Sequence, residues 1–187
     1  MTSTSLTVTV TNRNDAPVSL SNSYSATIGE DEPGGTNVLK TGASDEDGRN
    51  ILFSLSGSSD FDILSSGMIR IKSGVTLDYE TQDSYDLTVE FSDGTANVSK
   101  FVSITVLDRN DAPTLPNSPY STSVSENVSI GTSVFVVNGS DQDGDSLVYS
   151  LSGTGATHFT IDSNTGAVTT SQALNYEDAV SHFLNGK

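Results

Sequence analysis

The 187-residue sequence contains neither cysteine nor tryptophan. The absence of cysteine excludes disulfide bonds, zinc–thiolate sites and cysteine nucleophiles, and it leaves the redox compartment undecided. Basic residues are scarce as well, since eight lysines and arginines stand against 24 acidic residues, for a formal net charge of −16. Nucleic acids and anionic membrane surfaces are recognised by basic faces, so this charge argues against both as partners.

Long apolar runs and helical periodicity are missing too. The longest apolar run, at 134–137, is far shorter than the ~20 residues that a membrane helix needs, so no membrane insertion is expected in this segment. The residues after Met1 are polar, and no secretory signal is visible. The sequence is therefore expected to be either an intracellular protein or an internal piece of a larger exported chain.

The sequence does contain many short runs in which apolar and polar residues alternate. Such runs at 5–11, 51–55, 85–91 and 102–106 predict strands with one buried face. Turn-forming glycine and aspartate separate the runs at short intervals. About seven strands in about 90 residues predict an all-β fold built from antiparallel sandwiches.

A fixed internal period organises these runs. The segment N-R-N-D-A-P at 12–17 returns as D-R-N-D-A-P at 108–113, 96 residues later. Several further motifs repeat with an offset of 96 early in the copy and 97 late, which predicts one small insertion between the copies. A period shared by several motifs is typical of a tandem array.

The repeat predicts a division of the chain into five parts. Residues 1–11 are expected to be the last strand of a truncated preceding repeat, followed by a linker at 12–17. A complete repeat is expected at 18–107 and a second linker at 108–113. The remaining residues, 114–187, are expected to form a repeat that lacks its last strand.

Many acidic residues fall into four motifs that follow one another in a fixed order along the repeat. These are a lone Glu near the start of the repeat, a D-x-D-G turn, a D/N-Y-E segment and an S-D-G turn before the last strand. D-x-D-G also opens an EF-hand loop, but no Glu stands at loop position twelve and no helices flank it. Oxygen-rich segments of this kind suit calcium, which prefers carboxylate, amide and carbonyl oxygens.

The ordered set resembles the motifs of cadherin repeats: Glu, D-x-D, D-R-E (here Asp78-Tyr79-Glu80), x-D-x and D-x-N-D-N-x-P. The resemblance implies seven-stranded Greek-key sandwiches joined end to end, with up to three calcium ions at each joint. The threonine-rich last strand, the lack of cysteine and the D-Y-E variant are most similar to cadherin-like repeats of large bacterial surface proteins. The linker is shorter than the animal pattern, with Ala112-Pro113 in place of N-x-P.

The resemblance also assigns candidate calcium ligands by position. At the joint 108–113 these are Glu30, Asp78, Glu80, Asp108, Asn110, Asp111, Asp141 and Asp143. At the joint 12–17 they are Asn14, Asp15, Asp45, Asp47 and Asp93, with Asn12 where the pattern has Asp. Without a cation, so many crowded carboxylates would repel and raise one another's pKa values, and calcium would neutralise them.

The resemblance implies a calcium-rigidified, non-enzymatic adhesion or spacer segment of an extracellular or cell-surface protein, such as a homophilic adhesin. Expected partners are neighbouring repeats of the same chain, another adhesion protein or a cell-surface glycan. A carbohydrate-binding or spacer module of a secreted polysaccharide-degrading enzyme remains the alternative. Paired carboxylates also occur in glycosidases, but here they recur in turns with few aromatic residues to form a sugar platform.

Overall fold

The structure, a computed structural model, describes residues 4–116, 119–178 and 185–186. The chain divides into two compact units, Met1–Arg109 and Asn110–Lys187, called the first and second unit below. The described elements are strands and one short 3-10 helix, so the predicted all-β class is confirmed. No helix in the described part of the chain has the length and apolar character needed to cross a membrane.

The first unit is built from two main sheets and a small strand pair. Its strands are β1 (Val18–Ser19), β2 (Ser23–Gly29), β3 (Asn37–Lys40), β4 (Ala43–Ser44), β5 (Leu52–Ser56), β6 (Phe61–Ile63), β7 (Met68–Ile71), β8 (Ser84–Ser92) and β9 (Asn97–Leu107). Strands β2, β9, β8 and β5 form one sheet in that order, and β3, β7 and β6 form the other. The pairing of β2 with β9 is parallel, whereas β8 pairs antiparallel with both β9 and β5.

The core of the first unit follows directly from the alternation in sequence. Along β8, Leu87, Val89 and Phe91 are buried while their neighbours face outward. Ile69 and Ile71 of β7 belong to the same buried cluster, so both main sheets contribute their apolar faces to one core. Fully burying side chains of this size stabilises the fold by about 1.5–3 kcal/mol each, before the entropy cost of ordering them.

The strand predicted for residues 5–11 is absent from the structure. Residues 4–11 are assigned no strand, and Leu6, Val8 and Val10 are 89, 76 and 91% exposed. Alternation creates a strand only where a neighbour completes the hydrogen-bond ladder and covers the apolar face. The strand prediction is therefore wrong for this segment, although its pattern matches that of β9.

The second unit repeats part of this plan. Its elements are β10 (Ser133–Val136), β11 (Leu151–Ser152), a 3-10 helix (Ala156–His158), β12 (Phe159–Ile161), β13 (Ala167–Thr170) and β14 (Asn185–Gly186). Strands β10, β13 and β12 form a sheet in the same order as β3, β7 and β6. The buried cluster described here contains Val137, Phe159 and Val168, fewer large side chains than the first unit buries.

The strand registers show where the two copies differ in length. Ile63 pairs with Ile69 in the first unit, and Ile161 pairs with Val168 in the second. Equivalent residues are therefore 98 positions apart between β6 and β12, and 99 positions apart between β7 and β13. The single insertion predicted from sequence is therefore wrong. The extra residues lie in the connections before and after β12, and a shorter connection after β13 restores the later offset of 97.

Strand β2 has a single strand neighbour, because it lies at the sheet edge and pairs with β9. The equivalent residues of the second unit, 119–125, carry no strand.

Candidate metal centre

Six side chains gather at one end of the first unit, in what we call the N-terminal acidic site. They come from the segment before β1, from the β4–β5 connection and from the β8–β9 turn. The members are Asn12, Asn14, Asp15, Asp45, Asp47 and Asp93. The hydrogen bonds described below connect Asn12, Asn14, Asp15, Asp47 and Asp93. Asp45 belongs to the same D-x-D turn as Asp47.

Asp47 holds the linker in place through both carboxylate oxygens. Its Oδ1 accepts a hydrogen bond from the Asn12 amide at 2.7 Å, and its Oδ2 accepts one from the Asp15 backbone N–H at 2.8 Å. These bonds, that from Asn12 first and that from Asp15 second, lower the pKa of Asp47 below its ordinary value. The carboxylate is therefore ionised at neutral pH, and it fixes the linker backbone on the D-x-D turn.

Asp93 performs a similar role in the β8–β9 turn. Its Oδ1 accepts the backbone N–H groups of Thr95 and Ala96, each at 2.6 Å, and its Oδ2 accepts the Asn14 amide at 2.7 Å. The bond from Ala96, then that from Asn14, and then that from Thr95 lower the pKa of Asp93. With only 8% of its surface exposed, this carboxylate is a buried anion held in a fixed orientation.

Two oxygens of this site are buried without a hydrogen-bond partner among the described residues, namely Asn14 Oδ1 and Asp45 Oδ2. The other oxygen of Asp45 accepts the Arg49 backbone N–H at 3.1 Å. The Asn14 amide nitrogen donates to Asp93 and to the Asp15 carbonyl, the latter at 2.9 Å. An unsatisfied buried polar group costs about 1–3 kcal/mol, and a hard cation is the ligand that carboxylate and amide oxygens would satisfy together. The residues present therefore fit a calcium ion.

At the other end of the first unit, Glu30 fixes two predicted motifs at once. Its Oε2 accepts the Tyr79 backbone N–H at 2.6 Å, and its Oε1 accepts the Arg109 backbone N–H at 2.6 Å. Only 6% of Glu30 is exposed. The lone glutamate of the sequence pattern therefore ties the D-Y-E segment to the start of the second linker.

The remaining acids at this end keep more contact with solvent. Asp78 Oδ1 accepts the Thr81 backbone N–H at 2.9 Å, which closes the turn that carries the D-Y-E segment. Glu80 and Asp108 are exposed. The structure thus places Glu30, Asp78, Glu80 and Asp108 in the segments where the first unit meets its linker.

The second unit repeats the arrangement of the N-terminal acidic site. The Asp111 backbone N–H donates to Asp143 Oδ2 at 2.7 Å, and the Asn110 amide donates to the Asp111 carbonyl at 2.8 Å. Asp141 Oδ1 accepts the Asp145 backbone N–H at 3.2 Å. The corresponding bonds of the first unit measure 2.8, 2.9 and 3.1 Å. The linker and the D-x-D turn therefore form one structural module that occurs in both units.

One of the two backbone contacts of Glu30 also recurs in the second unit. Glu126 Oε2 accepts the Tyr176 backbone N–H at 2.7 Å, as Glu30 does from Tyr79. The next position differs, since Asn175 replaces the aspartate of the first copy and its amide donates to Asp178 at 2.7 Å. The contact between the glutamate and the following tyrosine is therefore kept although one charged residue is lost.

The sequence assigned no role to two residues that act on the N-terminal acidic site. Asn12 was noted only as a departure from the motif, yet its amide holds Asp47. Arg49 was not noted, although its backbone N–H caps Asp45 and its side chain reaches Thr95 at 3.3 Å. Comparison of positions 96 residues apart would have shown that both differ between the copies, because Asp108 and Asp145 occupy the equivalent places. It would not have shown their contacts.

Comparison with known proteins identifies the repeats. The family model described as "Cadherin domain" matches residues 24–107 and 120–185. The chain belongs to the cadherin family. Both units are cadherin-like β-sandwich domains in tandem, and as cadherin repeats they form a non-enzymatic, extracellular segment.

Several relatives are animal proteins. The chain is 33% identical over 183 residues to cadherin-related family member 1 of Gallus gallus, covering 93% of this chain and 20% of that protein. It is 37% identical over 158 residues to cadherin-23 of Mus musculus, covering 80% of this chain and 5% of that protein. The crystal structure of mouse cadherin-23 EC22-24 matches with a TM-score of 0.59 and 35% identity, covering 88% of this chain and 56% of that one.

These relatives bear on the expected origin and on the size of the whole protein. The chain spans a fifth or less of the length of the two curated relatives named above. The expectation of a bacterial surface protein, based on the threonine-rich strand and the D-Y-E variant, receives no support from them. The shortened linker is therefore compatible with close similarity to animal cadherin repeats.

Proposed function

We propose that this chain is a calcium-binding, calcium-rigidified segment of an extracellular adhesion protein. Domains of this family bind calcium between repeats. In this chain the ligands would be the side chains of the N-terminal acidic site and those at the 108–113 linker. The latter are Glu30, Asp78, Glu80, Asp108, Asn110, Asp111, Asp141 and Asp143. Bound calcium would supply positive charge that offsets these carboxylates.

The observation that carries this proposal is the pair of buried, unpartnered oxygens, Asn14 Oδ1 and Asp45 Oδ2. A site that served only to shape the turns would satisfy these oxygens with N–H donors, as it does for Asp93. Backbone and amide donors already fix the orientation of Asp47 and Asp93. The binding of a cation therefore costs little further side-chain entropy at these two residues. The site is therefore arranged in advance for an ion with several oxygen ligands.

Charge supports the same conclusion. The chain carries a formal net charge of −16, and many of its acids lie in the two linkers and in the four acidic motifs. Like charges held close together destabilise the folded state unless a cation offsets them. Calcium with flexible oxygen coordination suits such a site better than magnesium, which demands a tight octahedron and keeps its water.

The finer role that we propose is that of a stiff spacer. Residues 12–17 and 108–113 would act as linkers around a repeat at 18–107, with 114–187 as part of the following repeat. Each linker docks on the D-x-D turn through the bonds to Asp47 and Asp143. Calcium shared by a linker and its adjoining repeats would restrict bending, and such a segment would serve homophilic adhesion or contact another adhesion protein or a glycan.

The carbohydrate-binding alternative lacks a supporting observation. A sugar platform needs neighbouring exposed aromatic rings, and the chain has no tryptophan. Among the described residues, the exposed large aromatic side chains are Phe101 and Tyr176, one in each unit. The comparisons favour the adhesion role because the named relatives are cadherins.

Small-angle X-ray scattering tests the stiff-spacer role. The sample is the whole 187-residue chain. Calcium should give a larger maximum dimension and a narrower distribution of distances than a chelator, because the linkers lose freedom to bend. Identical distance distributions with calcium and with chelator would refute rigidification, whether or not calcium binds.

A further inference from the structure

The linker and D-x-D turn of the first unit differ in charge from those of the second unit at two equivalent positions. Asn12 corresponds to Asp108, and Arg49 corresponds to Asp145, each pair being 96 residues apart. The first module thus has an amide and a cation where the second has two carboxylates. The surrounding hydrogen bonds of the linker and the D-x-D turn are otherwise the same in both.

The Asn12 amide occupies a carboxylate oxygen that a cation would use. Its nitrogen donates to Asp47 Oδ1 at 2.7 Å, while the Asp15 backbone takes the other oxygen at 2.8 Å. Both oxygens of Asp47 are therefore satisfied within the protein. An ionised aspartate at position 12 has no hydrogen to donate, so it could not make this bond. A calcium ion that recruits Asp47 Oδ1 must compete with the amide.

Arg49 lies against the same site from another side. Its backbone N–H donates to Asp45 Oδ1 at 3.1 Å, and its guanidinium Nη1 donates to Thr95 Oγ1 at 3.3 Å. The Thr95 backbone in turn donates to Asp93 Oδ1 at 2.6 Å. The positive charge of Arg49 also contributes to the lowered pKa values of Asp47 and Asp93. The guanidinium is thus a built-in cation at the edge of the site.

We propose that Asn12 and Arg49 lower the calcium affinity of the N-terminal acidic site and keep residues 12–15 docked when no metal is bound. This inference rests on the proposed function and concerns the regulation of the same site. The amide replaces the cation at Asp47, and the guanidinium repels an arriving cation. The unpartnered oxygens of Asn14 and Asp45 still offer a place for calcium, so the site is weakened rather than abolished.

Amide NMR on the whole chain, titrated with calcium chloride, measures each module separately. The backbone signals of Asp15, Gly48 and Thr95 report the N-terminal acidic site, and those of Asp111 and Gly144 report the second module. Asn12→Asp, Arg49→Asp and the double variant are compared with the unaltered chain. Lys72→Asp is the matched control, because it makes the same charge reversal beside Asp62 instead.

The double variant should bind calcium at the N-terminal acidic site roughly tenfold more tightly or better, since it adds two carboxylates and removes one cation close to the ion. The Asp111 and Gly144 signals should titrate as before. In chelator, heteronuclear NOE values at residues 12–15 should fall in Asn12→Asp, because the bond to Asp47 is lost. Lys72→Asp should change neither result.

The outcomes separate this inference from the function on which it rests. If the unaltered chain binds calcium at Asp15 and Gly48 with the same affinity as all three variants, the tuning role is refuted and the calcium function stands. If none of the reporter amides responds to millimolar calcium, the proposed function itself is refuted. Unchanged Val89 and Ile104 signals verify that each variant folds, and Arg49→Asp alone tests the charge effect if Asn12→Asp disturbs the linker.

Discussion

Replacing Phe91 with alanine is expected to lower the free energy of unfolding of the first unit by about 3–5 kcal/mol. Phe91 is fully buried in β8, and its ring packs against Phe53 at a centroid distance of 5.6 Å and against Tyr24 at 6.4 Å. Truncation removes these contacts and leaves a cavity between the sheets, where neighbouring strands hold the backbone in place. Such a loss is a large part of the 5–15 kcal/mol that stabilises a typical domain.

Phe101→Ala is the matched control, because it makes the same chemical change on the neighbouring strand. Phe101 is 50% exposed on the outer face of the sheet, so its loss should cost much less. Urea unfolding followed through the Val89 and Ile104 amide signals would measure the first unit alone. Equal destabilisation by the two substitutions would contradict the assignment of the core.

Calcium at a hundredfold excess over its dissociation constant is expected to stabilise the first unit by about 2.7 kcal/mol, through binding to the folded state alone. Asp45→Asn should remove most of this gain, because it deletes a carboxylate whose Oδ2 is buried without a partner. In chelator the same variant should lose little stability or gain some, since the asparagine still accepts the bond from Arg49 while one like charge disappears. Magnesium should produce a much smaller rise than calcium.

The measurement is a melting curve of the first unit with calcium, with magnesium and with chelator. Asp86→Asn supplies the control, because Asp86 is an exposed carboxylate in the middle of β8. It belongs neither to the N-terminal acidic site nor to the acids assigned to the 108–113 linker. That variant should keep the full calcium response. If calcium still raises the melting temperature of Asp45→Asn by the full amount, calcium does not bind at the N-terminal acidic site.

The sequence predicted those strands whose alternation of apolar and polar residues is enough to determine which face is buried. Leu87, Val89 and Phe91 alternate with polar residues, and burying that face of β8 leaves one register. Residues 5–11 carry the same pattern but have no partner strand among the described residues, so the pattern alone could not make them a strand. A strand forms only when a second segment completes its hydrogen bonds, whereas alternation can be read from a single segment.

The sequence selected the residues of the candidate site but could not predict their contacts. Recurrence of acidic motifs selected Glu30, Asp47 and Asp93, and the structure fixes each of them with backbone N–H donors. The amide bond of Asn12 could not be foreseen, because a departure from a motif does not show whether the new group is idle or bonded. The places of the insertions around β12 were hidden for a similar reason, since loops absorb length changes without altering the flanking strand patterns.

Calcium binding by the assigned residues is the central claim, and equilibrium dialysis of the whole chain against labelled calcium tests it most directly. The comparison uses the unaltered chain, a double variant with Asp45→Asn and Asp141→Asn, and a double control with Asp86→Asn and Glu90→Gln. We expect saturable binding with dissociation constants of about 10⁻⁴–10⁻³ M, the range of extracellular modules, and its loss in the first double variant only. Equal binding by all three proteins, or no binding by the unaltered chain at millimolar calcium, would contradict the account.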